Sequence, residues 1–372
     1  MVIRGLKQWM IVPIMILVWL LSLVYGSGIG QAYDVYGKAK LLVLALAVYQ
    51  LLIRRRVRYV KKDIFLVIAY LFFSTLITSV LYAHNTLDFL WMYILMALIG
   101  LMPVEEGPMM VVSVAYGALG MLVLLIYNYG TVFSGWNENS IAMIGFFSFC
   151  VMIVGFNRVR DFRVLICLLV YAAMYFVLLE VLNSRGSVLF AIVLLLGIFR
   201  LLPFQRWFKN KRKILVIMLI PLFIAIFVVL IRNAGIVDKL ELWSYETFNK
   251  PIFNGRDELW YQGFTDWMKH LVFGNGNLSA ANWHNSAVTM LVGGGVVGYF
   301  IWLIKTGDIL ARGCPWIRDG IVFGLMVGIL GIWLQQTVEL GLVANQANAI
   351  PYAMMGLLLG RVRTLEEKNS GM

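Results

Sequence analysis

The chain has 372 residues, of which 61% are hydrophobic and 13% are charged, and its mean hydropathy is +0.84. This composition excludes a soluble globular domain and is typical of an integral membrane protein. The formal net charge of +12 does not indicate binding to nucleic acid, because the Lys and Arg residues cluster between apolar runs, as they do in membrane proteins.

Apolar runs of membrane-spanning length recur along the whole chain, and about 20 helical residues are needed to cross a bilayer. They predict an all-α, polytopic membrane protein with about twelve transmembrane helices, which forms a single membrane domain over residues 1–372. The run at 37–53 is short, and the run at 344–360 is interrupted by polar residues and a proline. The predicted spans are 8–26, 37–53, 63–82, 87–104, 108–128, 139–156, 164–182, 186–202, 214–232, 285–304, 318–337 and 344–360.

Basic clusters between spans predict the orientation. Loops rich in Lys and Arg remain in the cytoplasm, so the clusters Arg54–Lys62, Arg158–Arg163 and Arg206–Lys213 predict that both termini are cytoplasmic. The first span is longer than the apolar part of a signal peptide and lacks a clear cleavage site, so we expect it to be retained. The lipid bilayer is then the first predicted partner.

Polar chemistry inside the predicted spans is sparse. Cys150, Cys167 and Cys314 lie in two spans and an inner loop, which predicts neither a disulfide nor a metal framework. Glu180 lies at the outer end of a span, and either a cavity or a surface position suits it. For Glu339 we favour the end of a helix at the surface. This scarcity argues against an ion-coupled transporter, which concentrates charges near the midplane.

Residues 233–284 form the one long polar interruption and are predicted to be an extracytoplasmic loop. Within it, the sequence from Asn254 to Val272 predicts an amphipathic helix that lies on the membrane surface or caps the bundle. We predict Asn254 as its N-cap and expect the Gly274-Asn275-Gly276 stretch to end it. The apolar face comprises Trp260, Phe264, Trp267, Met268 and Leu271.

Several outer residues have side chains that suit a diphosphate group or a sugar. Arg256 lies in the first turn of the predicted helix, where the helix dipole and a guanidinium both favour an anion. His284 lies where the next span begins, and a neutral imidazole there could take a proton from a sugar hydroxyl. Trp260 and Trp283 could stack on sugars, although aromatic residues at a membrane interface are the ordinary explanation.

Five short motifs occur in order on the predicted outer side. They are Asn137-x-Asn139-x-x-Ala142, Ser184-Arg185-Gly186, Arg256-x-x-x-Trp260, Gly274-x-Gly276 and His284-Asn285. Their order and spacing over about residues 130–300 resemble the superfamily of O-antigen ligases and Wzy-type polysaccharide polymerases. Spans before residue 130 match this superfamily only as generic apolar helices.

The resemblance implies a metal-independent, inverting glycosyltransferase of the GT-C type with no cofactor. Its donor would be a glycan linked to undecaprenyl diphosphate. Its active site would lie on the outer face of the bacterial plasma (inner) membrane, which is the expected location. By the same resemblance, Arg185 and Arg256 would hold the diphosphate and His284 would bind or activate the acceptor hydroxyl. Arg232 would add a third contact to the donor, and Asn285, Trp260 and Trp283 complete the predicted substrate-binding set.

The resemblance does not separate two activities. A polymerase extends a lipid-linked chain, whereas an O-antigen ligase transfers a finished glycan to lipid A core or another acceptor. We favour a polymerase that acts beside the flippase and the chain-length regulator of its pathway, because no added acceptor domain is visible. A non-enzymatic flippase for lipid-linked glycans and a scaffold of an envelope-synthesis complex are the other interpretations.

Overall fold

A computed structural model describes residues 8–25, 41–49, 90–129, 138–155, 162–181, 184–248, 251–276, 283–343 and 348–370. Within these ranges all regular structure is helical and no strand occurs, which confirms the all-α class. The predicted span at 63–82 lies outside the described residues, and 41–49 is the described, helical part of the span at 37–53. The helices are α1 (Ile11–Tyr25), α2 (Leu90–Gly100), α3 (Glu106–Tyr129), α4 (Glu138–Gly155), α5 (Phe162–Val181), α6 (Arg185–Ile198), α7 (Phe204–Trp207), α8 (Lys211–Met218), α9 (Ile220–Asn233), α10 (Ile236–Phe248), α11 (Arg256–Lys269), α12 (Ser286–Arg312), α13 (Gly320–Gln335) and α14 (Ala349–Asn369).

Four helical stretches are long and apolar enough to cross a membrane, namely Glu106–Tyr127, Glu138–Gly155, Lys211–Asn233 and Ser286–Trp316. Several shorter helices are also apolar, including α1, α6 and α13. Large apolar side chains of α9, such as Phe223, Phe227 and Leu230, are exposed, as expected of a surface that faces lipid. These helices support a membrane protein, whereas the number of spans and the outer position of the long loop stay predictions.

The predicted span at 214–232 is divided into α8 and α9. Pro221 lies in the first turn of α9 and has no N–H group to donate to the preceding turn. The carbonyl of Met218, next to the break, accepts a hydrogen bond of 2.8 Å from the indole Nε1 of Trp333. The carbonyl of Pro221 accepts another, of 3.1 Å, from the side chain of Asn285. The proline break therefore provides carbonyls that bind α13 and the start of α12.

Helix α12 is interrupted at Gly295, whose φ of 64° and ψ of −171° are not helical. The interruption leaves backbone groups of α12 without helical partners, and the segment that follows α11 supplies them. Amides of Asn275 and Gly276 donate to the carbonyls of Val292 and Gly293 over 2.8 and 2.9 Å. The amide of Val296 donates to Leu271 over 2.9 Å. Buried irregular backbone is tolerated beside a membrane helix when it is satisfied in this way.

Helix α14 extends beyond its predicted end at residue 360 and reaches Asn369. Arg361 is buried there and forms a two-point ion pair with Asp319, with Nη2 to Oδ2 at 2.7 Å. Its Nη1 donates to the carbonyl of Val104 over 3.0 Å. The helix thus continues through the charged residues that follow the predicted span at 344–360, and the bounds of that span stay a prediction.

We call the opposite end of the bundle, where α6, α12 and α14 begin and α13 ends, the site end. The loop 336–343, which follows α13, lies across it. The Gln336 carbonyl accepts from the amide of Ser286 over 3.0 Å, and the amide of Asn348 donates to Gly341 over 2.9 Å. The residues predicted to form the active site lie around this loop.

Candidate functional site

Arg256 is the first residue of α11, as predicted from the sequence, but the predicted N-cap was wrong. Gly255, not Asn254, is the N-cap, and it makes no side-chain capping hydrogen bond. Asn254 and Gly255 both have left-handed backbone, with φ of 53° and 77°. Asparagine and glycine tolerate this conformation better than other residues do. The Asn-Gly pair therefore forms the tight turn that sets the direction in which α11 begins.

A carboxylate from α10 fixes the chain just before this turn. Glu241 accepts backbone hydrogen bonds from Ile252, Phe253 and Asn254 over 2.7, 2.8 and 3.1 Å. Three N–H groups converge on one carboxylate, an arrangement that local sequence patterns do not reveal. Glu241 is thus a positioning residue for the turn that precedes Arg256.

Replacing Glu241 by Ala leaves these three N–H groups without their acceptor. Hydrogen bonds to charged groups contribute about 1.5–3 kcal/mol each at most, and solvent replaces part of this at a half-exposed site. We expect Glu241→Ala to lower the free energy of unfolding by about 1–3 kcal/mol and to reduce any activity that depends on Arg256. Glu246→Ala, an exposed change on the same helix, is the matched control. Equal thermal stability of the two variants would contradict the capping role.

Helix α11 packs along α9 and α12 and so caps the bundle through an apolar cluster. Trp260 and Trp283 are only 2% and 7% exposed in this cluster, and the Trp260 indole Nε1 donates to the Trp283 carbonyl over 2.9 Å. Gly263 permits the close approach, because a Cβ there would lie 3.3 Å from Trp283 and closer still to Val288. Stacking on a sugar would require either indole to leave the cluster, so the predicted substrate contact of both residues stays a prediction. On the same predicted apolar face, Met268 and Leu271 are instead exposed.

Asn285 is fully buried and is the N-cap of α12. Its Oδ1 accepts from the amides of Ala287 and Val288 over 2.9 and 3.1 Å. Its Nδ2 donates to the carbonyls of Pro221 and Thr337 over 3.1 and 3.0 Å. These bonds use the donors and acceptor of the amide, so its role in this structure is to join α9, α12 and the loop 336–343. A direct contact of Asn285 with substrate stays a prediction.

His284 adopts a left-handed conformation with φ of 47°, which is uncommon outside glycine and often marks a functional position. The side chain is half-buried and precedes the apolar helix that begins at Ser286. Burial, and then the positive charge of Arg256, lower the pKa of His284 below its ordinary value of 6.5. The imidazole is therefore neutral at pH 7 and can accept a proton.

Arg256 faces Glu339, with Nη2 of the guanidinium 3.8 Å from Oε1 of the carboxylate. This distance is longer than a hydrogen bond, so the contact is electrostatic and made at one point. The Nε of Arg256 is buried and has no hydrogen-bond partner among the residues that the structure describes. The guanidinium therefore keeps donors that an entering anion could use.

Glu339 was expected at the surface end of a helix, and this expectation was wrong. The residue is 9% exposed and lies in the loop 336–343, where Gln336 and Ser286 hold the chain by a side-chain hydrogen bond of 2.8 Å. Burial raises the pKa of Glu339 to about 7, although the charge of Arg256 opposes this rise. Glu339 is thus a carboxylate of the site that the sequence pattern did not place there. The polar run Gln335-Gln336-Thr337 at the end of the predicted span 318–337 was the available signal.

Arg185 is exposed at the first position of α6 and lies at the site end. A Cβ on its neighbour Gly186 would be 3.0 Å from Cγ2 of Val338, and Nε2 of Gln335 donates to Oγ of Ser187 over 3.1 Å. The start of α6 therefore touches the loop that carries Glu339. The structure brings Arg256, His284 and Glu339 together and puts Arg185 beside their loop. The predicted roles of these residues stay predictions.

Arg232, predicted as a third donor contact, is paired within the protein. Its Nε lies 3.3 Å from Oδ2 of Asp257, its Nη2 contacts Glu258, and its guanidinium carbon lies 4.8 Å above the centre of the Tyr261 ring. These contacts hold the first turn of α11 against the end of α9. A substrate phosphate would have to compete with two carboxylates for Arg232, so Arg256 is the better-placed cation.

The site therefore combines an incompletely bonded guanidinium, a neutral imidazole and a carboxylate that titrates near neutral pH. Among the described residues, no group of three His, Cys, Asp or Glu side chains is arranged to hold a metal ion. The side chain of Glu180 lies outside the described residues. Chemically, the arrangement suits an anion at Arg256 and a proton acceptor at His284.

Comparison of the chain with protein-family models and with curated proteins finds no match in either set. The resemblance carried by the five motifs therefore supports a proposal and not a family assignment.

Proposed function

We propose that this protein is a membrane glycosyltransferase that transfers a glycan from a polyprenyl-diphosphate carrier to a sugar hydroxyl, as a polysaccharide polymerase of the bacterial plasma membrane. The observation that carries the proposal is the environment of the Arg256 guanidinium. Its buried Nε has no hydrogen-bond partner in the described part of the chain. The pKa of the nearby His284 is lowered by burial and then by the charge of Arg256. An anion-binding cation and a proton acceptor are the two groups that this transfer requires.

In the proposed reaction the acceptor oxygen attacks the anomeric carbon of the donor sugar. The bond from that carbon to the diphosphate oxygen breaks, and its electron pair leaves with the polyprenyl diphosphate. Charge grows on the diphosphate as the bond breaks, so a fixed guanidinium stabilises the transition state more than the ground state. Arg256 supplies this charge, and Arg185 at the start of α6 is proposed as the second contact.

The proton of the acceptor hydroxyl passes to the neutral imidazole of His284. General-base catalysis of this kind contributes about 10²–10⁴-fold to a rate. Asn285 fixes the backbone next to His284 through its four hydrogen bonds to α9, α12 and the loop 336–343. The imidazole is thereby attached to backbone that is hydrogen-bonded to three parts of the bundle.

We expect His284→Gln to lower the rate of glycan transfer by about 10²–10⁴-fold, because Gln cannot accept the proton. The pKa of His284 is lowered, so wild-type turnover should persist through pH 7 and fall only as the pH drops below about 6.5 and the imidazole becomes charged. This loss of turnover at acidic pH is measured from the pH profile of the turnover rate. His270→Gln, on the C-cap of α11, is the matched control. Unchanged turnover in His284→Gln would remove the general base from the proposal.

Purified protein supplied with lipid-linked oligosaccharide repeats tests the activity itself. Chain growth, resolved as a ladder of products, is the expected result for a polymerase. Transfer of a finished chain in one step to a separate acceptor would instead identify a ligase, which the same site could serve. Release of no polyprenyl diphosphate under either condition would contradict a glycosyltransferase and favour the flippase or scaffold interpretation.

A further inference from the structure

Glu339 has no role in the transfer reaction described above, yet it is the buried acidic partner of Arg256. The carboxylate lies 3.8 Å from the guanidinium, on the loop that joins α13 to α14. A carboxylate at this distance from the proposed diphosphate contact is poorly placed as the general base. Two anions would then compete for one cation in a partly desolvated space, where like charges repel strongly.

We propose that Glu339 is the resting counter-ion of Arg256 and that it takes up a proton when an anionic diphosphate group binds there. The inference rests on the proposed function, because it assumes that Arg256 holds the donor diphosphate. Above pH 7, the ionised carboxylate balances the guanidinium in the empty site. When the diphosphate engages Arg256, Glu339 binds a proton from solvent, which removes the repulsion and converts the carboxyl into a hydrogen-bond donor.

The structure gives Glu339 the surroundings that this exchange needs. Its single contact with Arg256 is too long for a hydrogen bond, so the carboxylate can yield the guanidinium without breaking a bidentate pair. Arg256 keeps its buried Nε for the incoming oxygen. The loop 336–343 that carries Glu339 is held to the start of α12 by hydrogen bonds between Ser286 and Gln336.

The other ionisable groups around Glu339 do not duplicate its role. His284 also borders Arg256, but its pKa is lowered, so it is already neutral at pH 7. Tyr352 of α14 donates its hydroxyl to the carbonyl of Leu342 in the same loop over 2.6 Å. Arg185 is exposed at the start of α6 and is a second basic side chain at the site end. Glu339 is the group in this set whose pKa lies near neutrality.

The sign of the expected pH dependence follows from linkage. Below pH 7, Glu339 is already protonated in the empty site, so anion binding takes up little additional proton and the affinity is highest. Above pH 7, each binding event takes up close to one proton, and the affinity falls by up to about tenfold per pH unit. Replacing Glu339 by Gln, which is always neutral, should remove this dependence.

Calorimetric titration of the purified full chain with inorganic pyrophosphate tests the inference. Measured at pH 8 in two buffers with different ionisation enthalpies, the wild type should take up nearly one proton more than Glu339→Gln. Its affinity should fall more steeply between pH 7 and 8.5 than that of the variant. The ionisation of pyrophosphate itself is common to both proteins, so the difference reports Glu339. Glu246→Gln, a change to an exposed carboxylate on α10, is the control and should behave as the wild type.

The outcomes separate the inference from the proposed function. Equal proton uptake in wild type and Glu339→Gln, with binding lost in Arg256→Ala, would overturn the role of Glu339 and leave the anion site intact. Undiminished binding in Arg256→Ala would overturn both. If Glu339→Gln cannot be purified, the pH dependence of pyrophosphate binding to the wild type tests the inference by itself. An affinity that changes with pH only as much as the ionisation of pyrophosphate requires would contradict the coupling to Glu339.

Discussion

Replacing Arg256 by Ala is expected to lower glycan transfer by about 10²–10³-fold or more, because it removes a charge placed where the leaving diphosphate becomes more negative. Within the described residues, its guanidinium contacts Glu339 at one point and carries a buried, unbonded Nε. The variant should still fold. Without its cationic partner, Glu339 is neutralised by protonation more readily and leaves no buried charge.

The measurement for Arg256→Ala is the initial rate of polyprenyl diphosphate release from a lipid-linked repeat, with equal amounts of folded protein. Arg256→Lys keeps the charge but not the planar donors, and we expect it to be intermediate. Lys269→Ala is the matched control, because Lys269 lies at the other end of α11, is exposed and pairs with Asp266. A normal rate in Arg256→Ala would remove the anion site from the mechanism.

Replacing Gly295 by Ala is expected to have the largest effect on stability. A Cβ on this residue would lie under 3.0 Å from the carbonyl of Val272 and the amide of Gly274, and its φ of 64° with ψ of −171° is accessible essentially only to glycine. Relieving the clash would break the backbone pairing between α12 and the segment after α11. We expect a loss of about 4 kcal/mol or more in the free energy of unfolding.

Gly235 provides the matched control for this prediction. It has a similar φ of 68°, but a Cβ there would meet nothing within 4 Å, so Gly235→Ala should cost about 1–2 kcal/mol from the backbone conformation alone. Thermal unfolding in detergent, followed by tryptophan fluorescence, compares the two variants. Equal unfolding temperatures would contradict the close approach of the two segments.

Helix positions in the apolar core could be predicted because length, hydropathy and capping agree there. The spans predicted at 139–156 and 318–337 correspond to α4 and α13, and Asp319 caps α13 through the amide of Val322. Details of the helices could not be predicted where these signals separate. Pro221 divides the apolar run at 214–232 into α8 and α9, although Lys211–Asn233 as a whole has the length and composition of one span. Helix α14 continues past its apolar run, because Arg361 is satisfied by ion pairs that form only in the folded protein.

The candidate site could be predicted only where local sequence determines it. The glycine and acidic residues around Arg256 identify the start of α11, and the polar residues before a long apolar run identify the position of His284. The burial of Glu339 depends on how the loop 336–343 lies against α12, over fifty residues away, so its raised pKa could not be foreseen. The pairing of Arg232 with Asp257 and Glu258 has the same origin, because it joins α9 to α11 across the segment that contains α10.

The backbone pairing between the segment after α11 and the interrupted part of α12 has a consequence for changes in chain length. Side-chain packing can adapt to an inserted residue, but hydrogen bonds between named amides and carbonyls fix the register of Asn275 and Gly276 against α12. One residue added within α11 would rotate its first turn by about 100° relative to that anchor and turn Arg256 away from His284. The number of residues from Arg256 to Gly274 therefore determines the direction in which Arg256 points, and a change in this number should disrupt the site.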